Sequence, residues 1–404
     1  MGIQKFLFAV PFLFIFSKSY GQDTIQTEKN IELLSAVSGN TKMLLTGVAW
    51  FGFLYHINNT DKTTPKTTFN DFGFSPMFLW KLSDKFFFES EIEIQNDGTS
   101  DNSAAFDLEY AKLSFRLNKY MTIGAGKMLS PFGAYNERWE PNHIEKFPNA
   151  PLRPDDGVLP DDTHLFWGSV MGVDVRGGVP LGSAKMNYSL YISNGPKLHL
   201  EKEMGGMLQY ENWNDNNSNK EVGGRIGFLP FPNSSLEFGF SGKYGIAGNQ
   251  GDSLYNKIGA TAYAVDFSYV KSIDAIRSII NIRGQFNSVT VGKANYQLTD
   301  STTYTFDNAM QSYFAQFSIR PGMAGNKYLK KTEFLLRYSD VTPPKDAVWS
   351  PKDTNGQGGS IKRIDIGLCY WVTWSTGLRI TYEISTMPDG AHPKELVVRF
   401  ATGF

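Results

Sequence analysis

The chain has 404 residues, with 39 Lys and Arg against 40 Asp and Glu, a formal charge of −1. Near-neutral charge argues against nucleic acid as a partner, and a single cysteine, Cys369, excludes an internal disulfide. The mean hydropathy of −0.29 does not exclude a membrane, because a barrel that alternates lipid-facing with lumen-facing residues keeps a low mean.

Met1 to Gly21 reads as a secretory signal. Lys5 supplies positive charge, Phe6 to Phe16 is apolar apart from Pro11, and Ser19 and Gly21 stand at −3 and −1 of a cleavage site. The run is too short for a spanning helix, which needs about 20 residues. The mature chain is expected to begin near Gln22. Loss of Lys5 and Lys18 leaves 37 basic against 40 acidic residues. Gln22 to Thr41 matches neither strand nor plug. It is expected as an N-terminal periplasmic segment or a piece held in the barrel mouth, with residues 42–404 forming the barrel itself.

Period-two alternation then runs through the chain. Phe72, Phe74, Phe78 and Trp80 share one parity, and Asp71, Gly73, Ser75 and Lys81 the other. Ile364, Ile366, Leu368 and Tyr370 alternate with Arg363, Asp365, Gly367 and Cys369. Such stretches need one apolar and one polar environment. The pattern predicts strands at 43–56, 70–82, 86–97, 104–117, 120–128, 168–179, 184–194, 221–229, 235–245, 258–270, 274–287, 311–321, 329–340, 361–372, 376–386 and 394–404. Their connections alternate between short and long. Turns such as Leu82–Lys85 and Pro180–Ser183 are short, whereas Leu129–Trp167, Asn194–Lys220 and Ser288–Met310 are long and read as polar. This is the pattern of an all-β, transmembrane antiparallel barrel of about 16 strands, with short periplasmic turns and long extracellular loops. An even strand count leaves no open edge in lipid. The parity change at Tyr110–Ala111 predicts a bulge. Trp50, Trp80, Trp371, Trp374 and Tyr382 are expected in aromatic girdles. The final strand stops on Phe404, which resembles the assembly signal of outer-membrane proteins.

Enzyme chemistry finds little footing. There are five histidines and no nucleophile-elbow serine. Gly124, Gly126, Gly177 and Gly178 lie in strands with no helix following, so they form no phosphate-binding loop, and no cofactor is expected. Asp155, Asp156, Asp161, Asp162 and His164 could bind a divalent cation. Their spacing matches no Ca²⁺ loop, and a solvated acidic loop is the simpler expectation.

Several stretches resemble the phosphate-selective porin O/P family and its relatives in Bacteroidota. These are IGAGKMLSPFGAYNER at Ile123–Arg138, KFPNAPL at Lys146–Leu152, YISNGP at Tyr191–Pro196, VGGRIGFLPFPNSSLEFGF at Val222–Phe240 and FLLRYS at Phe334–Ser339. Each is short, and the weight comes from their order and spacing. The resemblance implies a 16-stranded outer-membrane porin, assembled as a homotrimer among outer-membrane lipid and passing small hydrophilic solutes. Phosphate-like anions are the more specific implication, although no unbroken arginine ladder is visible.

The longest connection, Leu129–Trp167, is the third of the long set. It carries Arg138, His143, Lys146 and Arg153, then Asp155, Asp156, Asp161 and Asp162. Basic groups facing acidic ones across a constriction would select by charge and size; the alternative is a solvated outer loop. By parity the lumen receives Lys112, Arg116, Arg176, Arg225, Lys243, Arg283, Arg320, Arg337, Arg363, Arg379 and Arg399. Glu89, Glu91, Glu93, Asp174, Glu237, Asp266, Glu333, Asp365 and Glu383 share that wall. The reading is a conducting wall with a slight basic excess, or cross-strand pairs that only solvate the lumen. A non-conducting scaffold whose loops bind a partner or carbohydrate, for instance around Trp213, is the rival function. A soluble secreted all-β domain is the third.

Overall fold

A strand with hydrocarbon on one face and water on the other must alternate its side chains, and its backbone must be paired along both edges. The computed structural model meets both demands. It describes residues 42–58, 66–96, 104–139, 145–152, 168–210, 213–298 and 302–404. Sixteen antiparallel strands close into one barrel. They are β1 (Lys42–His56), β2 (Thr67–Lys81), β3 (Phe86–Asn96), β4 (Ala104–Arg116), β5 (Met121–Leu129), β6 (Ser169–Leu181), β7 (Ala184–Ser193), β8 (Glu221–Leu229), β9 (Leu236–Ile246), β10 (Gly259–Ile273), β11 (Ser278–Val291), β12 (Ala309–Arg320), β13 (Thr332–Thr342), β14 (Ile361–Trp371), β15 (Thr376–Thr386) and β16 (Lys394–Gly403). Each pairs with its sequence neighbours, and β1 pairs with β16, from Val48 opposite Gly403 to His56 opposite Glu395. The signal and the segment 22–41 lie outside the described residues.

The register sorts the two faces. Arg337, Asp365 and Glu383 stand side by side on β13, β14 and β15, and one residue earlier or later Leu336, Ile366 and Tyr382 do the same. The first row is buried, while Leu336 and Ile366 are exposed. Phe228, Phe238, Phe240 and Phe334 are likewise outward and exposed. An outer surface this apolar would be a liability in water and is what lipid requires. No helix among the described residues is long and apolar enough to cross a membrane.

The predicted bulge is present. Glu91 pairs with Tyr110 and Ile92 with Leu108, so Glu109 of β4 has no opposite number. The strand expected at 274–287 instead runs over Ser278–Val291. A single turn at Asp274–Ile276, closed by Arg277 in the left-handed region, takes up the difference. Two of the five girdle assignments are corrected. Trp50 is inward, 7% exposed, with its ring against Gly73, where a Cβ would come within 2.0 Å of it. Trp371 is also on the inward parity, and its indole N–H donates to Glu333 (3.0 Å). Trp80 and Trp374 are exposed as expected.

The long connections are less polar than the sequence suggested. Those after β7 and β11 carry two small hairpins, Lys197–Leu198 against Leu208–Gln209 and Tyr296–Gln297 against Thr303–Tyr304. Leu198, Leu208, Tyr296, Phe306 and Trp349 form a buried apolar cluster with Phe132, Tyr135 and Trp139 of the third connection and with Ala260, Ala262 and Ala264 of β10. Three alanines in a row on one face leave room for the aromatic rings.

Candidate functional site: the inner wall and the third long connection

Ser130 opens the third connection, and Pro131 after it cannot continue the strand ladder. Asn136 then ties its start to its end, donating to the carbonyls of Ser130 (3.3 Å) and Gly168 (2.9 Å). Gly133, at φ +70°, sits so close to Gln285 of β11 that a Cβ would meet its amide at 2.2 Å. Its N–H donates to Ser241 Oγ of β9 (3.0 Å). The N–H groups of Ala134 and Tyr135 both donate to Gln285 Oε1 (2.8 and 2.9 Å). A single π-helical turn, Tyr135–Trp139, follows. It aims two opposite charges at two complementary groups of the wall. Glu137 accepts from Arg176 Nη1 of β6 (2.5 Å), and Arg138 donates to Glu237 Oε1 of β9 (2.6 Å) and to Asn187 Oδ1 of β7 (3.0 Å).

A second described stretch, residues 145–152, lies further round. Lys146 Nζ donates to Ser318 Oγ of β12 (2.8 Å) and pairs with Glu333 of β13. Asn149 donates to Glu383 of β15 (2.9 Å), and Arg337 Nη2 donates to the carbonyls of Asn149 (2.7 Å) and Ala150 (3.0 Å). Leu152 is buried with Val341 and Ile361. Every wall partner here is on the inward parity. Of the predicted constriction set, Arg138 and Lys146 thus meet the inner wall, while His143, Arg153, Asp155, Asp156, Asp161 and Asp162 lie outside the described residues. So does His164, and with it the candidate cation cluster.

The predicted lumen residues fall into networks. Arg225 is held by Asp266 (2.6 and 2.8 Å) and by Glu237 (3.1 Å). Arg337 donates to Asp365 (2.6 Å), and Arg363 lies 2.9 Å from Asp365 and 3.6 Å from Glu383. Lys112 sits between Asp174 (3.2 Å) and Glu89 (3.7 Å), and Arg176 pairs with Asp174 as well. Removing one partner from such a buried pair costs about 3–5 kcal/mol, because the other charge is stranded. Others rest on rings. Lys243 lies 3.3 Å from the Tyr210 centroid, Arg283 lies 5.7 Å from that of Trp139, and Arg116 lies 4.8 Å from that of Phe87. Arg379 is buried beside Cys369, Arg399 is bidentate on Asp71 (2.7 and 2.8 Å), and Arg320 is half-buried at the short-turn end of β12. On β3, Glu91 faces Tyr110, and Glu93 faces Asp107.

Charge and loop length pointed to Arg138 and Lys146. The neutral contacts were missed: Gln285, Ser241, Asn187 and Asn149 carry no distinguishing pattern. The one available signal was the density of aromatics at Phe132, Tyr135 and Trp139 in a connection otherwise read for its charges.

The chain matches no protein-family model and no curated protein. Solved structures do resemble it. OmpF of Salmonella typhi aligns with a TM-score of 0.57 at 12% identity, covering 90% of this chain and 98% of that one. The outer-membrane channel DcaP of Acinetobacter baumannii aligns at 0.55 and 12%, covering 91% and 99%. An anion-selective porin from Comamonas acidovorans aligns at 0.55 and 10%, covering 90% and 100%. At such identities the likeness establishes the shared barrel fold.

Proposed function

We propose that the chain is an outer-membrane porin that lets small hydrophilic solutes diffuse passively through a water-filled lumen narrowed by its third long connection. The observation that carries this reading is the pairing of Glu137, Arg138 and Lys146 with inward-facing charges of a closed barrel whose outer wall is apolar. A loop held against the inner wall takes up cross-section, and the charges left on the wall act on whatever passes. The porin folds of its structural neighbours support the same reading. Export through a signal cleaved near Gly21 and insertion in the bacterial outer membrane follow from it, and a homotrimer is the assembly that the family resemblance implies. Phosphate-like selectivity rests on that resemblance alone; the deep burial of Arg225, Arg337 and Arg379 lends it no support.

Purified protein in planar bilayers tests the proposal. Discrete conductance steps are expected, and deletion of Pro141–Asp162 should enlarge them. A protein that inserts and stays silent would favour the rival, a non-conducting scaffold. The apolar cluster binding the outer loops together gives that rival a rigid surface on which to bind.

A further inference from the structure

Several inward cations of the wall are held by carboxylates, as Arg225 is by Asp266 and Arg337 by Asp365. Arg283 of β11 is not. It is 7% exposed, it forms no ion pair among the described residues, and its buried Nη1 has no hydrogen-bond partner. Its guanidinium meets the Trp139 ring of the third connection, 5.7 Å from the centroid. A ring face offsets part of the cost of taking a charge out of water. The N–H groups in the guanidinium plane still need acceptors.

The surroundings supply donors instead. Ser268 of β10 and Gln316 of β12 stand directly opposite Arg283 on its two sides, and Asn281 is the next inward residue of β11. All three are buried and uncharged. Two carboxylates border the group, and both are turned to other donors. Asp266, the next inward residue of β10 after Ser268, accepts from Arg225 with both oxygens (2.8 and 2.6 Å). Glu145 of the third connection accepts through Oε1 from the N–H groups of Lys146 and Phe147 (2.7 and 3.0 Å) and from Gln316 Nε2 (3.2 Å), and its Oε2 has no partner. These acids limit what can join Arg283. One negative charge neutralises the guanidinium, whereas a second would face Asp266 and Glu145 across a poorly screened wall.

We propose that Arg283, with the Ser268 hydroxyl and the Asn281 amide as further donors, is a binding site on the inner wall for one small monovalent inorganic anion, of the size and charge of chloride. Hydrogen bonds from an ionised donor are the strong ones, and the planar fork of arginine presents two of them side by side. The site belongs to the folded barrel and does not rest on the porin reading, since it needs no conduction.

The test is chloride NMR on the full chain in detergent, where exchange with a protein site broadens the quadrupolar line. A saturable excess width is expected, half-saturating at roughly tens of millimolar, the affinity that one or two charge-assisted hydrogen bonds supply. Nitrate should reverse it, and sulfate at the same ionic strength should do so less. Arg283→Gln removes the cation, and Asn281→Asp places a fixed counter-charge beside it; each should lower the excess width at least about threefold. Lys257→Gln, the same charge change at an exposed position, should leave it unchanged. Absence of a saturable width in the wild-type protein overturns the site. So does a width that survives Asn281→Asp, a variant that keeps side-chain shape and decides the matter even where Arg283→Gln fails to fold. Sulfate displacing chloride better than nitrate overturns the monovalent class.

Discussion

Gln285 is the side chain on which the first stretch of the third connection hangs. Its Oε1 accepts the N–H groups of both Ala134 and Tyr135 (2.8 and 2.9 Å), and its Nε2 donates to Asn287 (2.7 Å). Replacing it with alanine leaves two backbone donors without an acceptor. Were the site to stay dry, each would cost about 1–3 kcal/mol. Lumen water can follow into the vacated space, which brings the loss nearer the net worth of a hydrogen bond, about 1 kcal/mol each. Gln285→Ala is therefore expected to weaken docking of residues 130–139 by about 2 kcal/mol, close to a thirtyfold rise in the locally open population. Hydrogen exchange of the full-length protein in detergent should show faster exchange at Ala134 and Tyr135, with β-strand amides unchanged. Single-channel records should show more frequent transitions to higher conductance. Gln311→Ala, on the outward face of β12, is the control and should change neither. Wild-type exchange at both amides in the Gln285→Ala protein would refute the assignment of Gln285 as a latch.

Other expectations follow the same logic. Lys146→Ala strands Glu333 with only Ser318 and Trp371 as donors; a loss of about 3 kcal/mol should appear as a lower midpoint in urea refolding into liposomes. Gly73→Ala drives a methyl into the Trp50 ring, and overpacking of about 1–3 kcal/mol should show in tryptophan emission and in folding yield. Ile366→Arg, at an outward position 52% exposed, should cost about 2–4 kcal/mol if it lies near the bilayer midplane. The same refolding equilibrium measures it, and a neutral result would contradict the assignment of that face to lipid.

The barrel was readable because most strands alternate cleanly, and parity alone separates Arg337 from Leu336. β1 shows where that signal fails. Val48, Trp50 and Leu54 on one parity and Leu45, Phe51 and Phe53 on the other are all apolar, so nothing in the strand says which face meets water. Trp50, expected in a girdle, is in fact inside, over a glycine that makes room. Trp371 follows the parity of Asp365 and Cys369, and its indole N–H needed a buried acceptor that only the fold could reveal. The third connection was legible by its length and charge. Its partners were not: Arg138 finds Glu237 across 99 positions and Lys146 finds Glu333 across 187. The apolar cluster of the outer connections stayed hidden because each loop contributes only one to a few of its members.

The seam between the first and last strands has a temporal consequence. Gly47 exchanges hydrogen bonds with Phe404 (3.2 and 3.0 Å), and Thr46 Oγ1 donates to the Phe404 carbonyl (2.6 Å), a separation of 358 residues. These are among the most distant pairings in the chain, so loop-closure entropy delays them beyond the local hairpins. Until they form, every intermediate is an open ribbon with two adhesive margins. Completion of the seam is thus the step at which a nascent ribbon stops being a template for its neighbours and becomes a closed vessel.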